Sequence, residues 1–284
     1  MTQPLESKVA LVLGASRGIG AEIARAYAAA GAGVVLAARD EQALLGVADE
    51  IEGAGGHAIA VRADVSSEED VRAAVHVAVD EFGRLDVATN NAAGGAPPTP
   101  LAELALADFK QSIDTNLVGA FLALKHEIAA MLENDGPVRG AIVNISSTAG
   151  LEGVANLAGY SATKHALIGL TKVAALDYAE RGIRVNAVAP GPILTHHLER
   201  AGERYQRMAA EAMPMRRVGL PSEVADAVVW LSSQQSSFVT GSTMVIDGGK
   251  MAGTPAFSSK AKEVLDRPDA GRSSQDAGLD APRR

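Results

Sequence analysis

Tyr160 and Lys164 lie four residues apart in G-Y-S-A-T-K-H-A, and Ser147 stands thirteen residues before the tyrosine in N-I-S-S. On a helix, residues at i and i+4 face the same way, with Cβ atoms about 5–6 Å apart. A phenol is a weak acid or base at neutral pH, because its reference pKa is about 10. A neighbouring cation favours the phenolate and lowers that value. Reaching neutrality takes about 3 pKa units, or roughly 4 kcal/mol of differential interaction. A phenol tuned in this way protonates a carbonyl oxygen or deprotonates an alcohol. Tyr-x-x-x-Lys alone also describes a solvated helix face, so its surroundings decide its meaning. Ser146 is the competing serine, and neighbouring residues of a strand point to opposite sides.

Those side chains need a scaffold, and the apolar pattern supplies one. Val9–Leu13, Val34–Ala38, Ala58–Val61, Leu85–Ala88, Ala141–Ile145, Val185–Val188 and Met244–Ile246 read as strands. Helical patterns fall near 19–30, 41–54, 67–82, 103–132, 160–180 and 221–232. Strand–helix alternation predicts an α/β fold: a doubly wound, seven-stranded parallel sheet with helices on both faces. Ligands of such sheets bind beyond the carboxyl ends of the strands. Residues 1–251 read as a single domain. The stretch from Pro190 to Gly219 interrupts the alternation with two short helical patterns and reads as a substrate lid over 191–219. Residues 252–284 are polar and aperiodic and read as a flexible extension.

The first strand runs into G-A-S-R-G-I-G, with Gly14, Gly18 and Gly20, and then into a helix. Glycines there let the backbone approach a pyrophosphate seated on the helix N-terminus. The spacing is G-x-x-x-G-x-G rather than the standard G-x-G-x-x-G. At the end of the second strand, an NAD site usually has a carboxylate for the ribose 2′-hydroxyl. This chain has Ala38 in that place, then Arg39, with Arg17 in the glycine loop itself. Two guanidiniums suit a 2′-phosphate, so NADP(H) is favoured, with NAD(H) the alternative. Asp40 reads as a helix N-cap rather than as the missing acid.

Composition narrows the function classes. The net charge of −8 argues against non-specific nucleic-acid binding. The absence of cysteine excludes disulfides and thiolate chemistry and agrees with a cytoplasmic location. No apolar run has the length of a membrane span, and the N-terminus has no signal-peptide pattern. The six histidines form no metal-ligand pattern, and His196 and His197 read as solvated lid residues.

In order, the chain carries the glycine loop, A-D-V at 63–65, N-N-A-A-G at 90–94, N-L-V-G at 116–119, N-I-S-S at 144–147, Y-S-A-T-K at 160–164, P-G-P-I-L-T at 190–195 and V-I-D-G-G near the end. Over residues 7 to about 250 it resembles the single-domain short-chain dehydrogenases/reductases with the Y-x-x-x-K motif. The resemblance implies a Rossmann-like fold and roles for individual residues. Tyr160 would be the acid/base, and Lys164 would lower its pKa and hold the nicotinamide ribose. Ser147 would bond the substrate oxygen, and Asn116 would hold a water linking Lys164 to solvent. Gly14, Ser16, Arg17, Gly18, Ile19 and Gly20 would form the phosphate loop, with Arg39 beside it. Asp64 and Val65 would meet the adenine, and Asn90 and Ala92 the adenosine side. Pro190 and Gly191 would lead to Ile193 and Thr195 at the nicotinamide carboxamide.

There are departures from the family pattern. Leu13 replaces a frequent threonine, Ala93 replaces the glycine of N-N-A-G, and Thr163 is a mild variation. The run N-N-A-A-G-G is similar to that of reductases of unsaturated acyl-CoA, although Tyr160 favours carbonyl chemistry. The reading is an NADP(H)-dependent oxidoreductase of a carbonyl or secondary alcohol. An enoyl- or 2,4-dienoyl-CoA-type reductase is the enzymatic alternative, and a non-catalytic dinucleotide sensor is the alternative from another class. Leu151, Val154 and Leu157, with Met208, Met213 and Met215 of the lid, suggest an apolar pocket. The family resemblance implies a homotetramer or dimer built on 103–132 and 160–180.

Overall fold

Within each strand, alternate side chains are sent to opposite faces, and both faces are covered. The computed structural model describes residues 3–253. In chain order the elements are β1 (Val9–Leu13), α1 (Gly18–Ala29), β2 (Gly33–Ala38), α2 (Glu41–Gly53), β3 (His57–Arg62), α3 (Glu68–Phe82), β4 (Val87–Asn90), α4 (Leu106–Ile113), α5 (Gly119–Leu132), β5 (Gly140–Ile145), α6 (Ala158–Tyr178), β6 (Ile183–Pro190), α7 (His196–Arg200), α8 (Glu203–Ala212), α9 (Pro221–Ser232) and β7 (Thr243–Ile246). The strands form one sheet in the order β3-β2-β1-β4-β5-β6-β7, and every pair is parallel. This is the Rossmann-like doubly wound sheet that the alternation predicts. The winding reverses between β1 and β4, which opens a crevice at their carboxyl ends.

Strand β1 shows how the layers are built. Ala10 and Val12 join a core with Ile23 and Tyr27 of α1, Leu44 of α2 and Val228 of α9. Val9, Leu11 and Leu13 join the other core, with Val75 of α3, Leu122 and Ile128 of α5 and Ala174 of α6. The two-residue strand period produces this division, and it leaves β1 buried throughout. Local chemistry fixes the helix ends. Ser67 caps α3 by accepting from the Asp70 amide, and Gly83 ends it at φ 80°. Asp40 caps α2 by accepting from Ala43, as the sequence suggested.

Two elements differ from the sequence reading. The fourth strand runs from Val87 to Asn90, two residues later than its apolar run. Its polar end stays in the sheet because most of its groups find partners there. Thr89 and Ser232 share the buried Tyr27 hydroxyl at 2.7 and 2.8 Å. The Asn90 amide donates to Glu127 at 3.0 Å and to Asn144 at 2.9 Å. The single helix expected over 103–132 is instead a 3₁₀ turn (Leu101–Glu103), then α4, a π-helical turn (Asp114–Val118) and α5. The 252–284 extension lies, from residue 254 onward, outside the described residues.

Glu127 is fully buried on α5. Burial pushes its carboxyl up to about 7, and the hydrogen bond from Asn90 offsets that only in part. The folded chain therefore holds this proton more tightly than the unfolded chain. That stabilisation is complete below the ordinary carboxylate value and is lost as pH rises through about 7. The span corresponds to about 3 kcal/mol at most. Glu127→Gln should therefore melt above the wild type at pH 8, with the gap closing toward pH 5. Thermal melts at both pH values test this, and a gap independent of pH would refute the assignment.

Candidate active site

The carboxyl end of β5 and the first turns of α6 bring the acid/base set together. After β5, Ser146 keeps a strand bond to Val188 and donates its hydroxyl to the Lys164 carbonyl at 3.0 Å. It is buried and fully used as a structural tie. Ser147 is extended and opens the 3₁₀ turn Thr148–Gly150, its Oγ accepting from the Ala149 amide at 3.1 Å. Its hydroxyl is also close enough to the Tyr160 phenol to favour the phenolate. One turn along α6, the Lys164 ammonium stands 5.6 Å from the centre of the Tyr160 ring. It donates to the Ile145 carbonyl at 2.7 Å.

Burial dominates the electrostatics of the two groups. Burial raises the Tyr160 phenol, and the bond to Ser147 is what lowers it; the net shift is upward. Burial also holds Lys164 down, at about 8.

Asn116 sits in the π-helical turn, and such single turns often mark functional sites. Its amide grips both backbone groups of Gly94, accepting from N–H and donating to C=O, each at 2.8 Å. Its remaining N–H goes to Thr163 Oγ1 at 3.2 Å, and Thr163 donates to the Tyr160 carbonyl at 2.9 Å. Only one lone pair of the amide oxygen is left for a water. The relay expected of Asn116 has that single point of attachment. Thr163, read from sequence as a mild variation, is the link between the π-helical turn and the catalytic helix.

The phosphate loop fits a dinucleotide. A Cβ on Gly20 would lie 2.1 Å from the Gly14 carbonyl, and one on Gly14 would lie 2.6 Å from the Ala92 amide. No side chain fits there, so backbone lies bare where a pyrophosphate would rest. Helix α1 begins with Gly18 at φ 56°, without a side-chain cap at Arg17 and without an acidic residue in its first turn. Its first N–H groups are free to bind an anion. Ser16 completes the loop, and Ile19 packs on the core beneath it. Asn91, which the sequence reading passed over for Asn90, locks the turn by donating to the Gly14 carbonyl at 2.9 Å. Its position inside N-N-A-A-G was the available signal.

Beyond β1 and β4 lies a cavity lined by Leu13, Val65, Asn90, Ala92, Asn116 and Leu167. Asn90 borders it, but its amide is turned away into the buried bonds to Glu127 and Asn144. The side chain is a structural tie, while the residue itself borders the cavity. The Asp64 carboxylate is pushed up by burial, more than offset by the Ser66 hydroxyl and amide and by Arg39, so it lies below its ordinary value. Arg39 is 3.9 Å from Asp64, and Arg17 is 3.3 Å from Asp40. At the lid, Gly191 packs on Asp247, and Thr195 is the side chain nearest Gly18. Pro190 ends β6. Ile193 is buried in the α1–α9 core and bridged to Gly219. Met213 is buried, whereas Met208 and Met215 are exposed rather than lining a pocket.

This parallel sheet, with its bare glycine turn and its Ser–Tyr–Lys set at one strand end, defines a dinucleotide-binding oxidoreductase. A family model described as enoyl-(acyl carrier protein) reductase matches residues 14–250. An A-factor type gamma-butyrolactone 1'-reductase (1S-forming) of Streptomyces virginiae is 43% identical over 86% of this chain and 96% of its own length. A cyclohexanol dehydrogenase of Acinetobacter sp. (strain SE19) is 42% identical over 87% of this chain and 96% of its own. A crystal structure of a short-chain type dehydrogenase/reductase from Mycobacterium marinum superposes with a TM-score of 0.83 at 36% identity, covering 89% of this chain and 98% of that one. The chain belongs to the short-chain dehydrogenase/reductase family. It is an enzyme that works with a nicotinamide dinucleotide, which sets aside the idle-sensor alternative.

Ser147 favours the Tyr160 phenolate against burial. Ser147→Ala should shift the pH dependence of alcohol oxidation to higher pH, because the phenolate then forms later. It should also lower turnover by about 10²–10³-fold. A pH–rate profile tests both, and an unmoved profile would remove Ser147 from this role.

Proposed function

We propose that the enzyme is an NADP(H)-dependent oxidoreductase that interconverts a neutral, apolar ketone and its secondary alcohol. The observation that carries this reading is the Tyr160 phenol with Ser147 and Lys164 beside it at the carboxyl end of β5. The glycine turn at Gly14–Gly20 and Lys164 would hold a nicotinamide dinucleotide in this crevice, and that group would supply the hydride chemistry. Tyr160 gives a proton to the substrate oxygen in reduction and takes it back in oxidation. Ser147 steadies the developing alkoxide. Lys164, anchored on Ile145, holds the ribose side, and Asn116 positions the loop at Gly94 and the start of α6.

NADP(H) is favoured because Ala38 leaves the end of β2 without a carboxylate, while Arg17 and Arg39 are both mostly exposed there. The substrate class is supported by two relatives named for a gamma-butyrolactone and for cyclohexanol. An enoyl-type reductase is the second reading, suggested by the description of the family model and by N-N-A-A-G-G. Tyr160 in its Y-x-x-x-K place favours carbonyl chemistry. Among the described residues no helix is long and apolar enough to cross a membrane. A cytoplasmic enzyme remains part of this reading. Assembly as a dimer or tetramer is supported by exposed apolar residues on two long helices, Phe121 on α5 and Val173 and Leu176 on α6.

Cyclohexanol oxidation and cyclohexanone reduction, followed by nicotinamide absorbance, test the reading. Tyr160→Phe should cut turnover by about 10²–10⁴-fold and leave NADPH affinity nearly intact. Retained activity would overturn the mechanism. Arg39→Ala should weaken NADPH about tenfold or more and barely affect NADH. Equal losses for the two cofactors would remove the argument from the 2′-phosphate.

A further inference from the structure

One charged pair beside the catalytic loop is not used by the chemistry above. Lys250 follows V-I-D-G-G, and its ammonium forms an ion pair with Glu152. The same ammonium lies 3.5 Å from Thr148 Oγ1, and Thr148 is the residue after Ser147. Both charges are partly buried, with side-chain exposures of 29% for Lys250 and 34% for Glu152. An ion pair in that setting is screened less than a surface pair.

The position of Lys250 is built into the fold. Gly248 and Gly249 take φ values of 62° and 89°, a turn that other residues rarely adopt. The Asp247 carboxylate closes that turn by accepting from the Gly249 amide at 2.8 Å and the Met251 amide at 2.6 Å. On its other side the turn meets the lid. The Met215 amide donates to the Gly248 carbonyl at 3.1 Å, and Pro214 is the residue nearest Gly249. Contacts thus run from the end of the lid, through the Gly-Gly turn and Lys250, to Glu152 and Thr148 on the Ser147 loop.

We propose that the Glu152–Lys250 pair is a specificity determinant: by closing one wall of the substrate cleft with mutually neutralised charges, it selects neutral ketones over carboxylate-bearing ones. This rests on the reading of the enzyme as a ketone/alcohol oxidoreductase and deepens it. An anionic substrate meets a mouth in which the ammonium is already satisfied and a carboxylate stands beside it. It gains no partner and faces a like charge. Removing Glu152 frees the ammonium next to the serine loop, and removing Lys250 leaves the carboxylate alone.

The test compares kcat/KM for cyclohexanone and 4-oxocyclohexanecarboxylate in four proteins. Glu152→Gln should raise the anionic-to-neutral ratio about tenfold, and Lys250→Met should lower it. The exchange of charges, Glu152→Lys with Lys250→Glu, should restore a ratio near that of the wild type. The shifts should shrink at high salt, which a merely structural role would not produce. Ratios unmoved in an enzyme active on cyclohexanone would overturn the inference alone, as would a wild type that prefers the carboxylate. A wild type inert toward ketones would overturn the functional reading, and this inference with it.

Discussion

A single ammonium held in a water-poor interior is the constraint around which the site is arranged. Lys164 is only 2% exposed, and its charge is tied to one carbonyl, that of Ile145. Desolvation brings it down to about 8, a shift of about 3 kcal/mol relative to water. That cost is borne where β5 ends and α6 begins, and the same junction presents Ser147 and Tyr160. The lysine is thus both an electrostatic group and the pin joining a strand end to a helix. Ser146, which binds the Lys164 carbonyl, closes the junction from the other side.

A second set of buried polar groups supports this junction from the sheet. Asn90, Asn144, Thr171 and Glu127 form a row in which Asn144 donates to Thr171 at 2.9 Å and Asn90 donates to Asn144 and Glu127. Such groups are tolerated in a core because most of their hydrogen bonds are made. Asn90 Oδ1 and Glu127 Oε1 have no partner among the described residues. The row ties the carboxyl ends of β4 and β5 to α5 and α6. Asn91 and Asn116 extend the support to the two backbone segments nearest a cofactor, the Gly14 turn and Gly94. Asparagine serves these places well because one amide can satisfy a backbone N–H and a C=O together.

Much of the fold was legible because strand and helix periods differ and the chain keeps them apart. The seven strands and their parallel order follow from apolar runs separated by helical patterns. What escaped was governed by partners distant in sequence. The Asn90 side chain is drawn inward by Glu127, 37 residues later. Ile193 sinks into the core because Gly219, facing it, has no side chain. The π-helical turn around Asn116 has no local signature. It exists because Gly94 and Thr163 jointly reward an amide aimed off the regular helical direction.

The sequence by itself determined the alternation of elements, the bare glycine turn and the four-residue spacing that puts a phenol and an amine on one helix face. These are short-range properties, set by backbone sterics and side-chain period. Only the tertiary structure decided where the charge goes. The amine binds a strand carbonyl, burial raises the phenol, and Ser147 works against that burial. Solvation and long-range pairing settle such questions, and neither is encoded in any local run of residues.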